Sequence, residues 1–375
     1  MKSCYFVRVL AAASAFVACA IPAGAIEIAD GFTYAGESGF TASHALATDF
    51  NNYPVFGAVG SLNIHLQGGA VGTGSATLLN NEWVLTAGHC WSSNVTSYDF
   101  VLGGVPYAAD MTSLTVHPLW KNAPPPLADM TAGTSQGWDL ALFKLAAPIT
   151  GNLTFPELYT KSDELGKAAV TLGAGDLGTG TVPWYEQSSS PPLVHAAFNV
   201  IDRVTSQTWT TNATDYGGGF LVTDFDGSTD PDQNTLDNSY HPGGDPWLWD
   251  GNSTITALDP AGGITGASSS SDQYLLDADI VEGAPAPGDS GGPTFILDTD
   301  GKWKLAGVTS WGNNPWDELY NGGSGFRGLY GDVNYMVRIS EASDWIYSVI
   351  PEPSSAALLL LGASVLCLTR TRRKV

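Results

Sequence analysis

Short apolar runs recur along the chain, each closed by Gly, Pro, Asn or Asp. Among them are WVLTA (83–87), DLALFKL (139–145), AAVTLGA (168–174), TFIL (294–297) and KLAGVTSW (304–311). Runs of this length between turn residues predict β-strands. No stretch with a helical period appears until SEASDWIYSVI (340–350), which sets Trp345, Ile346 and Val349 on one side of a short helix. Many short strands and one late helix predict an all-β barrel or sandwich. Two polar, turn-rich stretches interrupt the pattern. KNAPPPLADMTAGTSQG (121–137) is expected to be a loop, and residues from about Glu186 to Asp272 are expected to form an insertion. There is no internal repeat.

Both ends of the chain depart from this pattern. At the start, Lys2 and Arg8 precede an apolar run from Val9 to Ala20, and Ala23-Gly24-Ala25 offers small residues for cleavage. This predicts a secretory signal over 1–25, cut after Ala25 by signal peptidase and too short to span a membrane. A second reading makes Cys19 of FVAC a lipid-bearing cysteine, but Phe16 fits that box poorly. At the other end, Pro351-Glu352-Pro353 is followed by an apolar run from Ala356 to Leu368 and then by Arg370, Arg372, Arg373 and Lys374. Such a segment can engage a membrane with its basic end on the cytoplasmic side. It resembles the PEP-CTERM sorting signal of Gram-negative bacteria. The resemblance implies transient anchoring in the inner membrane by 351–375, removal of the tail by an exosortase, and release to the cell surface or the medium. A plain C-terminal anchor is the alternative.

Residues 26–350 remain as the folded body. Six of the 15 basic residues but one of the 37 acidic ones lie in the two ends, so the body is more acidic than the net −22 of the whole chain. That balance argues against a nucleic-acid partner, whose phosphates call for Lys and Arg, and suits a soluble secreted body. Of the four cysteines only Cys90 lies in the body. The fold must therefore stand on its core without an internal disulfide. In DFDGSTDPDQNTLD (224–237), Asp224, Asp226 and Asp230 alternate as at the start of a calcium loop, yet the closing Glu is missing. A Ca²⁺ site and a solvated acidic turn are both open readings. No other cofactor is expected.

The chemistry gathers in three stretches. APAPGDSGGPTF (284–295) holds Ser290 between glycines, LTAGHCW (85–91) places His89 after an apolar strand, and GWDLALFKL (137–145) places Asp139 at the head of another. A serine hydroxyl needs a nearby imidazole to take its proton. The imidazole needs a carboxylate to hold its tautomer and stabilise its charged form. An Asp against so apolar a run demands a partner, because a lone buried charge is costly. His44, His65, His117, His195 and His241 show no ligand-like spacing, so no catalytic metal is expected.

TAGHC, WDLALFKL and GDSGGP, in the order His, Asp, Ser, resemble the chymotrypsin/trypsin-like serine peptidases. The order itself separates them from subtilisins and α/β-hydrolases. VHPLW (116–120), VTSWG (308–312) and GLYGDV (328–333) add to the likeness, which covers most of 53–350. It implies two six-stranded antiparallel β-barrels with a short C-terminal helix, and a polypeptide substrate. It also implies a catalytic triad of His89, Asp139 and Ser290, with an oxyanion hole from the N–H groups of Gly288 and Ser290. Ser310, Trp311 and Gly312 would pair with the substrate backbone, and Ser310 would also bond Asp139. The chain departs from the family in three places. The disulfide partner of Cys90 is replaced by Gly74. The pocket floor carries Ala284 where trypsins carry Asp, and with Gly312 and Gly328 in the walls it would favour apolar or aromatic side chains. No basic activation site precedes an Ile-Val-Gly-Gly-like start, so Ile26, exposed by signal cleavage, is the candidate partner of Asp289. Two other readings of the same residues are a non-catalytic surface or matrix binding protein on a peptidase scaffold, and an esterase.

Overall fold

The computed structural model describes residues 26–28, 43–44, 47–48, 53–121, 137–180, 182–185, 192–201, 203–204, 219–225, 256–258, 264–266, 283–313 and 332–350. The signal read at 1–25, the tail at 351–375 and the loop at 122–136 lie outside them. Among the described residues no helix is long and apolar enough to cross a membrane.

The first half carries β1 (Glu27–Ile28), β2 (Val59–Leu66), β3 (Val71–Leu78), β4 (Trp83–Thr86), β5 (Val95–Leu102), β6 (Val105–Val116), a turn of helix α1 (Pro118–Lys121) and β7 (Ala141–Leu145). Then follow β8 (Ala168–Gly173), β9 (Leu177–Thr179), β10 (Val182–Tyr185), β11 (His195–Val200), β12 (Arg203–Val204), β13 (Phe220–Asp224), β14 (Thr256–Leu258) and β15 (Ile264–Gly266). The chain closes with β16 (Gly283–Ala284), β17 (Pro293–Leu297), β18 (Trp303–Asn313), β19 (Val333–Arg338) and helix α2 (Ile339–Val349).

Strands β2-β3-β4-β7-β6-β5 close into a six-stranded antiparallel barrel. Closure leaves no unpaired edge, and cross-strand pairs such as Leu62–Phe100 and Val84–Phe143 are fully buried. The second half is a barrel-like antiparallel sheet in the order β11-β8-β17-β18-β19-β13-β12. Its ends roll toward each other: the Asn199 amide in β11 donates to the Asp224 carbonyl in β13 at 2.7 Å. Val170 opposite Phe295 and Val308 opposite Val337 are buried there. The two-barrel plan with one short C-terminal helix is thus the observed architecture. A smaller sheet, β10-β9-β1-β16, brings the start of the body against the segment before Ser290. The two halves share a core. Phe56 packs on Phe295 at 5.2 Å and on Trp303 at 6.0 Å, each buried ring contributing on the order of 2–3 kcal/mol.

The insertion expected over 186–272 needs correction. β11 and β13, both integral to the second sheet, lie inside that range. Their apolar residues, among them Phe198, Phe220 and Leu221, are buried, but each strand is so short and so closely flanked by polar residues that composition alone hides it. Helix α2 follows the expected bounds, with Ile346 buried and Trp345 and Val349 packed on the core. Its entry is fixed by Arg338, whose guanidinium forks onto buried Glu164 (2.8 and 2.7 Å) and reaches Glu341 at 2.9 Å. A two-bond fork sets orientation as well as position.

Candidate active site

Antiparallel pairing explains why His89 and Asp139 meet. In the β4–β7 ladder Thr86 lies opposite Ala141 and Trp83 opposite Lys144. The exit of β4 therefore stands beside the entry of β7. Just past that exit the chain makes a single 3₁₀ turn, Gly88–Cys90, that carries His89. Asp139 sits just before β7 and is fully buried. Its Oδ1 accepts the His89 backbone N–H at 2.7 Å, and its Oδ2 pairs with His89 Nδ1 at 2.6 Å. A carboxylate only accepts, so Nδ1 carries the proton and Nε2 keeps its lone pair. Ser310, on β18 of the second sheet, donates its hydroxyl to Asp139 Oδ2 at 2.5 Å. Burial on its own would push the imidazole down in pKa. The charge of Asp139 and its hydrogen bond outweigh that, so His89 is held above its ordinary value.

Ser290 lies in the loop between β16 and β17, half-buried. Its carbonyl accepts the Ser75 N–H at 2.8 Å, and the Cys90 thiol lies 3.7 Å from the same oxygen. The Ser290 loop is therefore fastened to the residue next to His89. Among the described residues no hydrogen bond joins Ser290 and His89 side chains; such bonds are often long until substrate is bound. Gly288 has φ +94° and Gly291 φ +87°, the left-handed region that favours glycine. A Cβ on Gly291 would stand 2.1 Å from Thr86 Oγ1, so no side chain fits where the loop crosses the first barrel. Among the described residues neither the Gly288 nor the Ser290 N–H donates a hydrogen bond. Two unspent donors on one tight turn can stabilise an oxyanion.

Asp289 points the other way, into the second half, and is fully buried. Its Oδ2 accepts the N–H of Ala286 at 2.7 Å and of Ile26 at 3.1 Å, and its Oδ1 accepts the N–H of Gly175 at 2.6 Å. Burial pushes its carboxyl up to about 7 in spite of these three donors. Ile26 itself is fully buried, held by β1 between β9 and β16.

The remaining expected site residues fall as follows. Ala284 is buried in β16, opposite Glu27 and packed on Phe225. Trp311 and Gly312 are partly exposed on β18, and the Trp311 indole stacks on Tyr335 at 4.0 Å. Gly328 lies outside the described residues, as do Asp226 and Asp230. Asp224 is a buried residue of β13. Among the described residues no three His, Cys, Asp or Glu side chains gather as metal ligands. His65 pairs with Asp99 at 2.8 Å on the outer face, and His44 Nδ1 contacts the Val194 carbonyl at 2.6 Å. His117 stacks on Trp138 at 4.5 Å, and burial lowers it to about 4. His195 is buried in β11, and His241 lies outside the described residues. Sequence reasoning missed Ser75, a buried hydroxyl in β3 that touches the Ser290 loop. Its only signal is a small polar residue within a strand.

Cys90 is a buried free thiol, pushed by burial up to about 12 and so uncharged at neutral pH. A Cβ on Gly74 would stand 3.2 Å from its sulfur. That is close to the about 3 Å separating a Cβ from the far sulfur of a disulfide. Gly74→Cys is therefore expected to oxidise with Cys90 and stabilise the protein by about 3 kcal/mol, as a loop of this size predicts. Thermal melts with and without reductant check it: a melting point that reductant does not lower would refute the pairing.

A family model described as Trypsin matches residues 59–233. The match takes in His89 and Asp139 and ends before Ser290. The chain is similar to the solved structure of HL collagenase, with 19% identity, 80% of this chain and 96% of that chain covered, and a TM-score of 0.41. It is also similar to neuropsin, a serine protease expressed in the limbic system of mouse brain, with 18% identity, 79% and 95% coverage, and a TM-score of 0.42.

Proposed function

We propose that the protein is a secreted serine endopeptidase that cleaves polypeptides through an acyl-enzyme. The observation that carries this reading is the buried Asp139–His89 pair, with Nε2 left as a base, on the seam where the Ser290 loop is fastened. In this reading Nε2 takes the Ser290 proton as Oγ attacks the scissile carbonyl. The negative charge that forms on the carbonyl oxygen is met by the Gly288 and Ser290 N–H groups. His89, now charged and stabilised by Asp139, returns the proton to the leaving amine, and water repeats the cycle on the ester. By the likeness to trypsin-like peptidases, an uncharged Ala284 floor with open Gly312 and Gly328 walls would favour an apolar or aromatic side chain next to the scissile bond. Export by the signal at 1–25 and surface sorting through the tail at 351–375 belong to the same reading. The test is a serine-directed fluorophosphonate applied to the exported protein. Labelling that disappears in Ser290→Ala supports an activated serine. Absence of labelling in a protein that begins at Ile26 would overturn it in favour of a binding protein on this scaffold.

Maturation follows from the same geometry. Cleavage after Ala25 would turn the Ile26 N–H, 3.1 Å from Asp289 Oδ2, into an ammonium group. That would set a cation against the buried carboxylate. A paired amine is raised above its ordinary value of about 7.7–8. Its contribution is therefore complete below that value and lost as pH rises through the higher folded pKa. One extra residue before Ile26 is expected to lower kcat/KM by about 10²- to 10³-fold, the size of one lost oxyanion donor. The Ile26 form should also lose activity reversibly at alkaline pH. N-terminal sequencing with active-site titration checks both, and equal activity of the extended form would refute the pairing.

A further inference from the structure

We infer that Ser75 is a positioning residue for the oxyanion loop, a clasp by which the first barrel holds the turn that presents Gly288 and Ser290. The inference rests on the peptidase reading for its catalytic meaning, but its geometry stands apart from it.

Ser75 belongs to β3 and is fully buried, so each of its polar groups must find a partner. All four do. Its hydroxyl donates to the Gly288 carbonyl at 3.0 Å and accepts the Ala174 N–H at 2.8 Å. Its own N–H donates to the Ser290 carbonyl at 2.8 Å, and its carbonyl accepts the Thr86 hydroxyl at 2.8 Å. One residue of the first barrel thus touches the backbone of both oxyanion residues and of the segment after β8.

The peptide planes show what this does. The two oxyanion donors belong to the 287–288 and 289–290 peptides. Ser75 binds the carbonyls of the 288–289 and 290–291 peptides, the planes that alternate with them. Fixing these leaves little freedom for the donors to rotate away. The segment carrying Ala174 is the one whose Gly175 N–H binds Asp289, at 2.6 Å. The Ser75 hydroxyl therefore links the Asp289 seat to the Gly288 carbonyl. A methyl at position 75 would leave the part-buried Gly288 carbonyl and the buried Ala174 N–H without this partner, and the loop would relax to regain one.

The experiment uses the exported protein with Ser75→Ala, and with Ser75→Cys as a variant that keeps the volume and a weak S–H donor. The probes are a peptide anilide with an aromatic residue before the scissile bond and the matching peptide aldehyde, which forms an oxyanion adduct with the serine. Ser75→Ala is expected to lower kcat by about 10- to 100-fold with KM within about threefold. Aldehyde affinity should fall in parallel, Ser75→Cys should lie between, and backbone exchange over 286–292 should quicken. A buried serine of merely structural worth would lower the melting temperature and leave kcat and aldehyde affinity alone; that result overturns the proposal, as does a loss confined to KM. If the wild type neither cleaves nor labels, the peptidase reading fails, and exchange decides the clasp. Faster exchange over 286–292 in Ser75→Ala keeps it, and unchanged exchange removes it.

Discussion

Ser290→Ala is expected to lower kcat on peptide substrates by about 10⁶-fold, with KM within a few-fold of the wild type. In the proposed mechanism the hydroxyl is the group that forms a bond to substrate, while the remaining parts bind and polarise. With it gone, the Gly288 and Ser290 N–H groups still face the carbonyl, so a residual rate of about 10³- to 10⁴-fold over water is expected to survive. The loop should keep its shape, since it is held by backbone contacts to Ser75 and by the tight passage of Gly291, not by Oγ. Its melting temperature should therefore match the wild type. His89→Ala should lose a comparable amount, and the double variant little more, because nucleophile and base act as one unit. Running a small p-nitrophenyl ester beside the peptide tests the esterase reading. Peptide turnover that survives the change would place the nucleophile elsewhere and end the proposal. Ester turnover by the wild type with no peptide turnover would move the reading to an esterase.

What the sequence made legible is what is written locally. Apolar runs between turn residues gave β4, β7, β8, β17 and β18, and the helical period gave α2. His89 and Asp139 could be paired because both stand at strand ends. That Gly74 stands where the family this chain resembles carries the partner of Cys90 could be read by counting back along the sequence. The strands hidden within 186–272 were not legible, because β11 and β13 are short and their burial comes from distant partners. The Ser75 contacts to the Ser290 loop and the Arg338–Glu164 fork join residues well over a hundred positions apart. Nothing in the neighbouring sequence announces such pairs. They become visible only once two barrels bring their edges together. The burial of Asp289 is likewise a property of the fold, although its candidate partner was already legible as Ile26.

Asp139→Asn isolates the second term of the mechanism, the tautomer. In the native site Oδ2 faces His89 Nδ1 at 2.6 Å and also accepts from Ser310 Oγ at 2.5 Å, while Oδ1 accepts the His89 N–H at 2.7 Å. Every neighbour is a donor, so a carboxylate satisfies all three. An amide has one accepting oxygen and one donating nitrogen, of nearly the same size. If the oxygen keeps the His89 backbone N–H, the amide nitrogen faces Nδ1 and also confronts the Ser310 hydroxyl. Nδ1 must then accept, the ring proton moves to Nε2, and the imidazole can no longer take a proton from Ser290. The expected loss in kcat is about 10⁴-fold at neutral pH, the size known for this change in serine peptidases of this mechanism. The pH profile distinguishes this cause from simple distortion. In the wild type the charge of Asp139 helps hold the imidazole above its ordinary value. Without that charge, burial is left to act, and the pKa governing kcat/KM should fall. A variant that loses activity with its pKa unchanged would show that Asp139 acts by packing alone. A variant that keeps activity within tenfold would remove Asp139 from the triad altogether.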